Sequence, residues 1–384
     1  MIEPEKIPLS LYIHIPWCTQ KCPYCDFNSH EGFLTSYQEP YVSALLSDLE
    51  SQLAWIKART VETIFIGGGT PSLFSGQWIG RLLSGVARLM PISRTAEITL
   101  ESNPGSAEIA RYKDYRCAGV TRLSIGVQSF NNDSLRQLGR IHTGEEARRA
   151  LDLADKAGFT RWNIDLMHGL PGQNIESASE DVREAIKLSA GHISCYQLTI
   201  EPNTRFWSKP PALPGESALE DIEHAGQALL GDAGFMQYEV SAFCKADNQC
   251  RHNVNYWTFG DYLGIGAGAH GKLTLSDNKI IRTQRTRSPA DYLRLASTNP
   301  FIAPVPKSIS VDDLPGEFAM NALRLKDGVA SECFTQRTGL AENVLAQRAK
   351  TAQARGWLTD QKSGRFATTP LGFQFLDSVL ATLL

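Results

Sequence analysis

Three cysteines lie within one short stretch of the chain, Cys18-Thr-Gln-Lys-Cys22-Pro-Tyr-Cys25. Cysteine thiolates are the usual protein ligands of iron–sulfur clusters. Three thiolates leave one iron of a [4Fe–4S] cubane without a protein ligand, so that iron is free to bind a small molecule. The spacing therefore predicts a [4Fe–4S] cluster held by Cys18, Cys22 and Cys25, with one open coordination position.

Two other interpretations of these cysteines remain. A zinc ion would need a fourth ligand, which Asp26 or His30 could supply, although structural zinc sites usually combine two cysteine pairs. A disulfide is the second alternative, because the chain has eight cysteines, an even number. Tight cysteine clusters in a reducing compartment are more often metal sites, which favours the iron–sulfur interpretation.

A glycine-rich turn, Gly67-Gly68-Gly69-Thr70-Pro71, follows the second predicted strand. Backbone without side chains lets amide groups approach a ligand closely. The expected ligand is S-adenosylmethionine (SAM), which can chelate the open iron and would meet this turn with its amino group or ribose. The turn matches neither the P-loop nor the dinucleotide-binding fingerprint, which disfavours those ligands.

Four further polar residues, Glu101, Gln128, Arg140 and Asp165, follow or end other predicted strands. Their side chains suit the ribose hydroxyls and the carboxylate of SAM. Any one of them alone could equally be a solvated loop residue, and the prediction rests on their combination with the cysteines.

The elements that position these residues alternate between short β-rich runs and amphipathic helical patterns. This alternation predicts parallel strands joined by crossover helices. We therefore predict an α/β fold, a partial (β/α)6 barrel over residues 1–243, with its chemistry at the carboxyl ends of the strands. The predicted strands are Leu9–Pro16, Thr63–Gly67, Glu97–Asn103, Arg122–Ser129, Arg161–Met167 and His192–Ile200, with a further extended run at Tyr238–Phe243.

Two smaller regions are expected after the barrel. Residues 244–299 are rich in Asn, Gly and aromatic residues, which predicts a loop-rich excursion over the barrel mouth. Residues 300–384 predict a small α+β winged-helix-like domain with helices at Val311–Leu325 and Ala341–Arg355. Its wing offers few cations, so a packing or partner-binding role is favoured over DNA binding.

Composition excludes several classes of protein. The formal net charge is −3, which gives no broad attraction for nucleic acid or an anionic membrane. The polar start, Met1 to Lys6, is not typical of a signal peptide, and no run of about 18 apolar residues predicts a membrane span. A cytoplasmic location is expected.

Several motifs together carry a family resemblance: Tyr12-Ile-His-Ile-Pro-Trp-Cys18, GGGTPS, Glu101-Ser-Asn-Pro, GVQSF and Asp165-Leu-Met-His-Gly-Leu-Pro-Gly. Between about Leu11 and Gly271 the chain resembles the radical SAM family that contains oxygen-independent coproporphyrinogen III dehydrogenase and a branch of heme chaperones. The resemblance implies that SAM is contacted by Tyr12, Tyr24, Gly68, Gly69, Thr70, Glu101, Gln128, Arg140, Asp165 and Thr199.

Two departures from the dehydrogenase favour the chaperone branch. The dehydrogenase has a further cysteine two residues after the last cluster ligand, where this chain has Phe27, and it has a longer N-terminal extension than the short segment before Leu9 here. Decarboxylation of coproporphyrinogen is therefore the alternative rather than the preferred function.

The run His252-Asn253-Val-Asn-Tyr256-Trp257 matches the HNxxYW motif of the chaperone branch, where it is associated with heme binding. Histidine can ligate heme iron and aromatic side chains can cover a porphyrin. Cys250 is an alternative thiolate ligand. The resemblance implies a heme chaperone that transfers heme to respiratory apoproteins, with a homodimer possible and membrane contact only through its clients.

Overall fold

The fold is built around a sheet of twelve strands, seen in a computed structural model that describes residues 2–297, 303–360 and 363–384. Strands β1 to β6 stand side by side in chain order. Each is parallel to the next, as the sequence predicts. Their bounds are Leu9–Ile15, Val61–Gly68, Ile92–Ser102, Arg122–Gln128, Trp162–His168 and His192–Gln197.

Helices connect these strands and cover the outside of the sheet. Because β1 to β6 are parallel, their carboxyl ends lie at the same edge of the sheet, which is the rim of the partial barrel that the sequence predicts. The bounds of these helices are α1 Gln38–Gln52, α2 Gly76–Leu89, α3 Ser106–Ile109, α4 Tyr112–Cys117, α5 Asn132–Gln137, α6 Gly144–Lys156, α7 Ile175–Leu188, α8 Arg205–Ser208 and α9 Glu216–Asp232.

The run predicted at Tyr238–Phe243 is two short strands, β7 (Met236–Glu239) and β8 (Ala242–Cys244). Strand β8 is antiparallel to β6 and β7 is antiparallel to β8. This hairpin ends the sheet on the β6 side, so the run does not continue the parallel barrel.

Residues 244–299 contain more regular structure than the loop-rich segment that the sequence predicts. Helix α10 spans Arg251–Trp257, and strands β9 (Asp261–Ile265), β10 (His270–Thr274) and β11 (Ile280–Gln284) extend the sheet beyond β1. Strand β9 is parallel to β1. Helix α11 follows at Pro289–Ala296, and the expected boundary at residues 299 and 300 lies outside the described residues.

The C-terminal helices share an apolar core with the N-terminal segment and the β7–β8 hairpin, and within it Phe318 packs edge-on against Phe334. A two-stranded sheet and the isolated bridge between Leu358 and Thr368 complete a winged-helix-like arrangement. None of the helices in the described part of the chain is long and apolar enough to span a membrane. The remaining bounds are β12 Lys307–Ser308, α12 Leu314–Ala322, β13 Val329–Ala330, α13 Glu332–Thr338, α14 Glu342–Ala354, β14 Arg365–Phe366, α15 Pro370–Gln374 and α16 Leu376–Ala381.

Candidate cluster, SAM and heme site

The cysteine loop leaves the end of β1 and is held at its base by Trp17. Trp17 forms a parallel bridge with His30, and its indole packs edge-on against Tyr41 at 4.7 Å between ring centroids. Further along the loop, the Cys25 amide donates a hydrogen bond to the Cys22 carbonyl at 3.1 Å. The loop backbone is therefore fixed by the protein itself, and its three thiols are half-buried.

Each of the three sulfur atoms has a polar neighbour from a different element. The Thr70 hydroxyl donates to Cys18 Sγ at 3.4 Å and an Arg140 guanidinium nitrogen to Cys22 Sγ at 3.7 Å. Ser29 Oγ lies 3.7 Å from Cys25 Sγ. Donors of this kind stabilise the negative charge that thiolates bring to a cluster, so the surroundings suit a thiolate-bound cofactor.

Two of the thiols, those of Cys18 and Cys25, favour the protonated form. Burial raises the pKa of Cys18 and of Cys25, so these thiols would ionise on binding cations rather than before it. Among the described residues, no three His, Cys, Asp or Glu side chains lie close enough together to hold a metal ion. A cubane does not need this closeness, because each thiolate binds a different iron. All eight cysteines are free thiols.

The glycine turn lies directly against the cysteine strand. Gly68 has a φ of +117°, and a Cβ there would lie 2.5 Å from the His14 ring. A Cβ on Gly69 would lie 2.6 Å from the Trp17 carbonyl oxygen. The amides of Gly68, Gly69 and Thr70 donate to Glu101, Ile15 and Trp17. These three amides thus already donate hydrogen bonds within the protein. The amino group of SAM is a donor, so it would bind to carbonyl oxygens of the turn.

Glu101 and Asp165 face each other across the barrel interior. Glu101 Oε2 accepts from the Gly68 amide at 3.0 Å. Burial and the nearby Asp165 raise the pKa of Glu101 to about 8. Asp165 lies in the middle of β5 rather than at its end, and it accepts hydrogen bonds from Asn163 and Ser124. Of the two carboxyls, only Glu101 is among the residues that line the large cleft.

Gln128 ends β4 in a left-handed conformation, with a φ of +69°. Its Oε1 accepts from the Tyr196 hydroxyl at 2.7 Å, which leaves its amide hydrogens for a ligand. Arg140 donates to the Asn103 side chain at 2.7 Å and to the Gly126 carbonyl at 2.8 Å. These bonds hold Arg140 between β4 and the cysteine loop.

The remaining residues expected to contact SAM divide into two groups. Tyr12 hydrogen-bonds His14 at 2.9 Å, and Tyr24 packs against Phe206, so both are part of the site wall. Thr199 is exposed, two residues beyond the end of β6.

The HNxxYW residues form α10, which packs against β1, β2 and β9. His252 is 1% exposed, and its two ring nitrogens hydrogen-bond Thr63 at 2.8 Å and Tyr256 at 2.9 Å. In contrast with the expected axial ligand, this ring has no free nitrogen for iron in the structure. Asn253 is half-buried. Burial raises the pKa of the Cys250 thiol to about 11, which makes Cys250 a weak thiolate ligand near neutral pH.

Tyr256 and Trp257, by contrast, line a cleft of about 1260 Å³ including its open mouth. Ligand pockets commonly have volumes of about 300–1,000 Å³. The same cleft reaches Tyr12, Gly68 and Glu101 of the SAM region, so the two expected sites share one space. Its other lining residues are His14, Phe27, Asn28, Tyr262, Gly268, His270, Gln284, Arg287 and Asn321.

Comparison with known proteins identifies the family. Residues 12–185 match the radical SAM superfamily and residues 309–375 match the HemN C-terminal domain. The heme chaperone HemW of Escherichia coli is 50% identical over 380 residues, which cover 98% of each chain. The chain belongs to the HemW family of radical SAM proteins.

Less similar relatives also match this chain over nearly its whole length. The heme chaperone HemW of Haemophilus influenzae is 46% identical over 385 residues, covering 99% of each chain. A mitochondrial radical SAM domain-containing protein 1 of Danio rerio is 32% identical over 401 residues, covering 100% of this chain and 89% of its own. The solved structure of Escherichia coli HemN, a coproporphyrinogen III oxidase, superposes with a TM-score of 0.83 at 23% identity, covering 99% and 90%. This similarity shows the shared fold.

Within this HemW-family chain, Phe27 lies at the position where the family resemblance predicts a difference from the dehydrogenase. Its side chain is 62% exposed and lies at the mouth of the cleft. An apolar ring there can contact a flat hydrophobic ligand but cannot bind a metal or carry redox chemistry.

Sequence reasoning missed four residues that the structure brings to the site. His14 lies in the Tyr12-Ile-His-Ile-Pro motif, but nothing in its spacing distinguishes it from a core residue. Asn103 links Thr70 to Arg140. His270 reaches the cleft from β10 and Arg287 from the segment after β11, in a region that the sequence predicted to be loop. A correct prediction of β9 to β11 from the sequence would have pointed to these two residues.

Proposed function

We propose that this chain binds a [4Fe–4S] cluster, SAM and heme, and that it transfers heme to respiratory apoproteins. The HemW relatives of Escherichia coli and Haemophilus influenzae are named as heme chaperones, and the chain matches both over nearly its whole length. The observation that carries the proposal is the shared cleft, which joins the region of the expected cluster and SAM to the aromatic residues of the HNxxYW motif.

The SAM part of the proposal rests on the charges around the cysteine loop. Arg140 would bind the SAM carboxylate, since it is held by Asn103 and already lies beside Cys22. Glu101 and the Gln128 amide would bind the ribose hydroxyls, and the Gly68 region the amino group. The chemistry that a bound, reduced cluster would supply is one electron for SAM.

The heme part rests on the shape and lining of the cleft. A porphyrin is flat, apolar in its centre and negatively charged at its propionates. Tyr256 packs edge-on against Tyr262 at 4.4 Å, and Trp257 lies next to them, which gives one wall an aromatic surface. Arg287 provides a cation for a propionate. His252 and Asn253 would act through the motif helix, by fixing the position of Tyr256.

The proposed partners are heme and the heme-requiring client proteins, with a second copy of this chain as a possible partner in a homodimer. Nucleic acid is not among them, because the net charge of −3 favours no polyanion.

The decisive experiment is anaerobic reconstitution of the full chain followed by heme titration and transfer. Protein with a full cluster should bind about one heme per chain and pass it to an apoprotein, and Tyr256→Ala with Trp257→Ala should bind less. The matched control is Trp207→Ala, which removes an exposed aromatic outside the cleft lining. A protein that binds no heme, or never releases it, would refute the proposal.

Coproporphyrinogen III dehydrogenation is the second candidate function. The cleft favours it only in size, because a tetrapyrrole of either kind could fit beside the SAM region. Incubation with SAM, dithionite and coproporphyrinogen III separates the two candidates. Protoporphyrinogen formed with turnover would establish the enzyme and reject the chaperone.

A further inference from the structure

We infer that His270, and not His252, is the histidine that ligates heme iron in the cleft. This inference rests on the proposed heme binding and names the protein ligand within that site. The observations that carry it are which histidine rings reach the cleft and which of their nitrogens are already hydrogen-bonded.

The two rival histidines are both committed to other partners. Both ring nitrogens of His252 are hydrogen-bonded, and its ring lies 5.1 Å from the Phe65 ring, centroid to centroid. His14 lines the cleft, but it is bonded to the Tyr12 hydroxyl and to the Asn28 carbonyl, each at 2.9 Å. Either ring would have to break a buried or partly buried hydrogen bond before it could bind iron.

His270 has no such commitment. It is the first residue of β10, it is exposed, and its side chain lines the cleft. Among the residues that the structure describes, its ring makes no hydrogen bond. Partial burial together with the charges of Arg282 and Arg287 lowers the pKa of His270, so the neutral ring with its free lone pair prevails at physiological pH.

The backbone beneath His270 is fixed, which a metal ligand requires. Strand β10 pairs with β11, and His270 lies directly opposite Gln284. The Gly271 position is tightly enclosed, because a Cβ there would lie 2.5 Å from Thr283 Oγ1. The ring of His270 therefore projects from a rigid part of the sheet.

The surroundings of His270 match the rest of a heme. Arg287 also lines the cleft, and its guanidinium makes one long contact, 3.5 Å from Nε to Asn28 Oδ1. It can therefore turn to a propionate with little loss. Arg282, in contrast, is bound to the Tyr262 hydroxyl and to Glu317. The aromatic wall of Tyr256 and Tyr262 lies along the same cleft.

Electron paramagnetic resonance of ferric heme in cluster-loaded protein tests this assignment, because an oxidised [4Fe–4S] cluster is diamagnetic. His270→Ala should change the heme signal and weaken binding about tenfold, equivalent to roughly 1.4 kcal/mol. Added imidazole should restore the wild-type signal. The control His224→Ala removes an exposed histidine on α9 and should change neither property.

The outcomes separate this inference from the proposed function. Wild-type protein that binds no heme overturns both. Wild-type protein that binds heme with a signal unchanged in His270→Ala overturns the assignment of the ligand and leaves the proposed function standing. The ligand would be His252 if the signal changes in His252→Ala and recovers there with imidazole, while His270→Ala leaves the signal unchanged.

Discussion

Replacing Glu101 with glutamine tests whether this carboxyl is held in the barrel for a ligand. In the folded protein the pKa of Glu101 is about 8, compared with an ordinary value of 4.5. The native state therefore retains a proton that the unfolded chain releases, and the free energy of unfolding falls as the pH rises from about 4.5 to about 8. Above about pH 8 this contribution is constant.

The size of the effect follows from the two pKa values. One pKa unit corresponds to 1.36 kcal/mol, so between pH 5.5 and 8.5 the carboxyl should cost the native state up to about 3 kcal/mol. Water in the cleft reduces this figure, because Glu101 is only half-buried. The amide introduced by Glu101→Gln carries no charge, and its oxygen can still accept from the Gly68 amide.

Urea unfolding of the SAM-free protein at pH 5.5, 7 and 8.5 measures this difference. We expect Glu101→Gln to gain stability relative to the wild type as the pH rises, and to bind SAM more weakly, since SAM carries a cationic sulfonium that favours ionised Glu101. Wild-type protein should also release a proton on binding SAM. A stability difference that does not change with pH would refute the reasoning.

Three further changes test other parts of the structure. Thr70→Val removes the hydroxyl that donates to Cys18 Sγ, so the cluster reduction potential should fall by roughly 40 mV for about 1 kcal/mol, measured by redox titration. Gly69→Ala places a Cβ 2.6 Å from the Trp17 carbonyl and should lower iron per chain, whereas Gly80→Ala, with a contact at 3.6 Å, should not. Asp48→Ala removes the buried carboxylate that pairs with Arg285 and accepts from the Tyr292 hydroxyl, and it should destabilise the protein by about 3–5 kcal/mol in urea.

The parallel part of the fold could be predicted because its strands are buried and its helices amphipathic. Strands β1, β4 and β5 begin and end within one residue of their predicted bounds. Strand β3 begins at Ile92, earlier than predicted. Its first five residues include the polar Ser93, Arg94 and Thr95 and contain no buried position, so they give no strand pattern in the sequence. The positions of the cysteines and of Gly68, Glu101 and Gln128 at strand ends followed directly from this pattern.

Strands β9 to β11 could not be predicted in the same way, because buried charges interrupt their apolar pattern. Asp261 is fully buried in β9 and bonds Lys272 of β10 at 3.0 Å and Arg59 at 2.8 Å. In a sequence, Asp and Lys at these positions indicate a solvated loop. Only the three-dimensional pairing of these charges lets them lie inside a sheet.

The HNxxYW motif shows a related limit of prediction from sequence. Its residue types suggest heme chemistry, but they do not tell which side chains face the cleft. His252 and Tyr256 are four residues apart on α10, so they share one face of the helix and bond each other. That face turns towards Thr63 and the barrel interior, which leaves the Tyr256 ring at the cleft and the His252 ring beneath it. Substitution of His252 would therefore release Tyr256 and disturb the aromatic wall. A loss of heme in such a variant does not by itself make His252 the iron ligand.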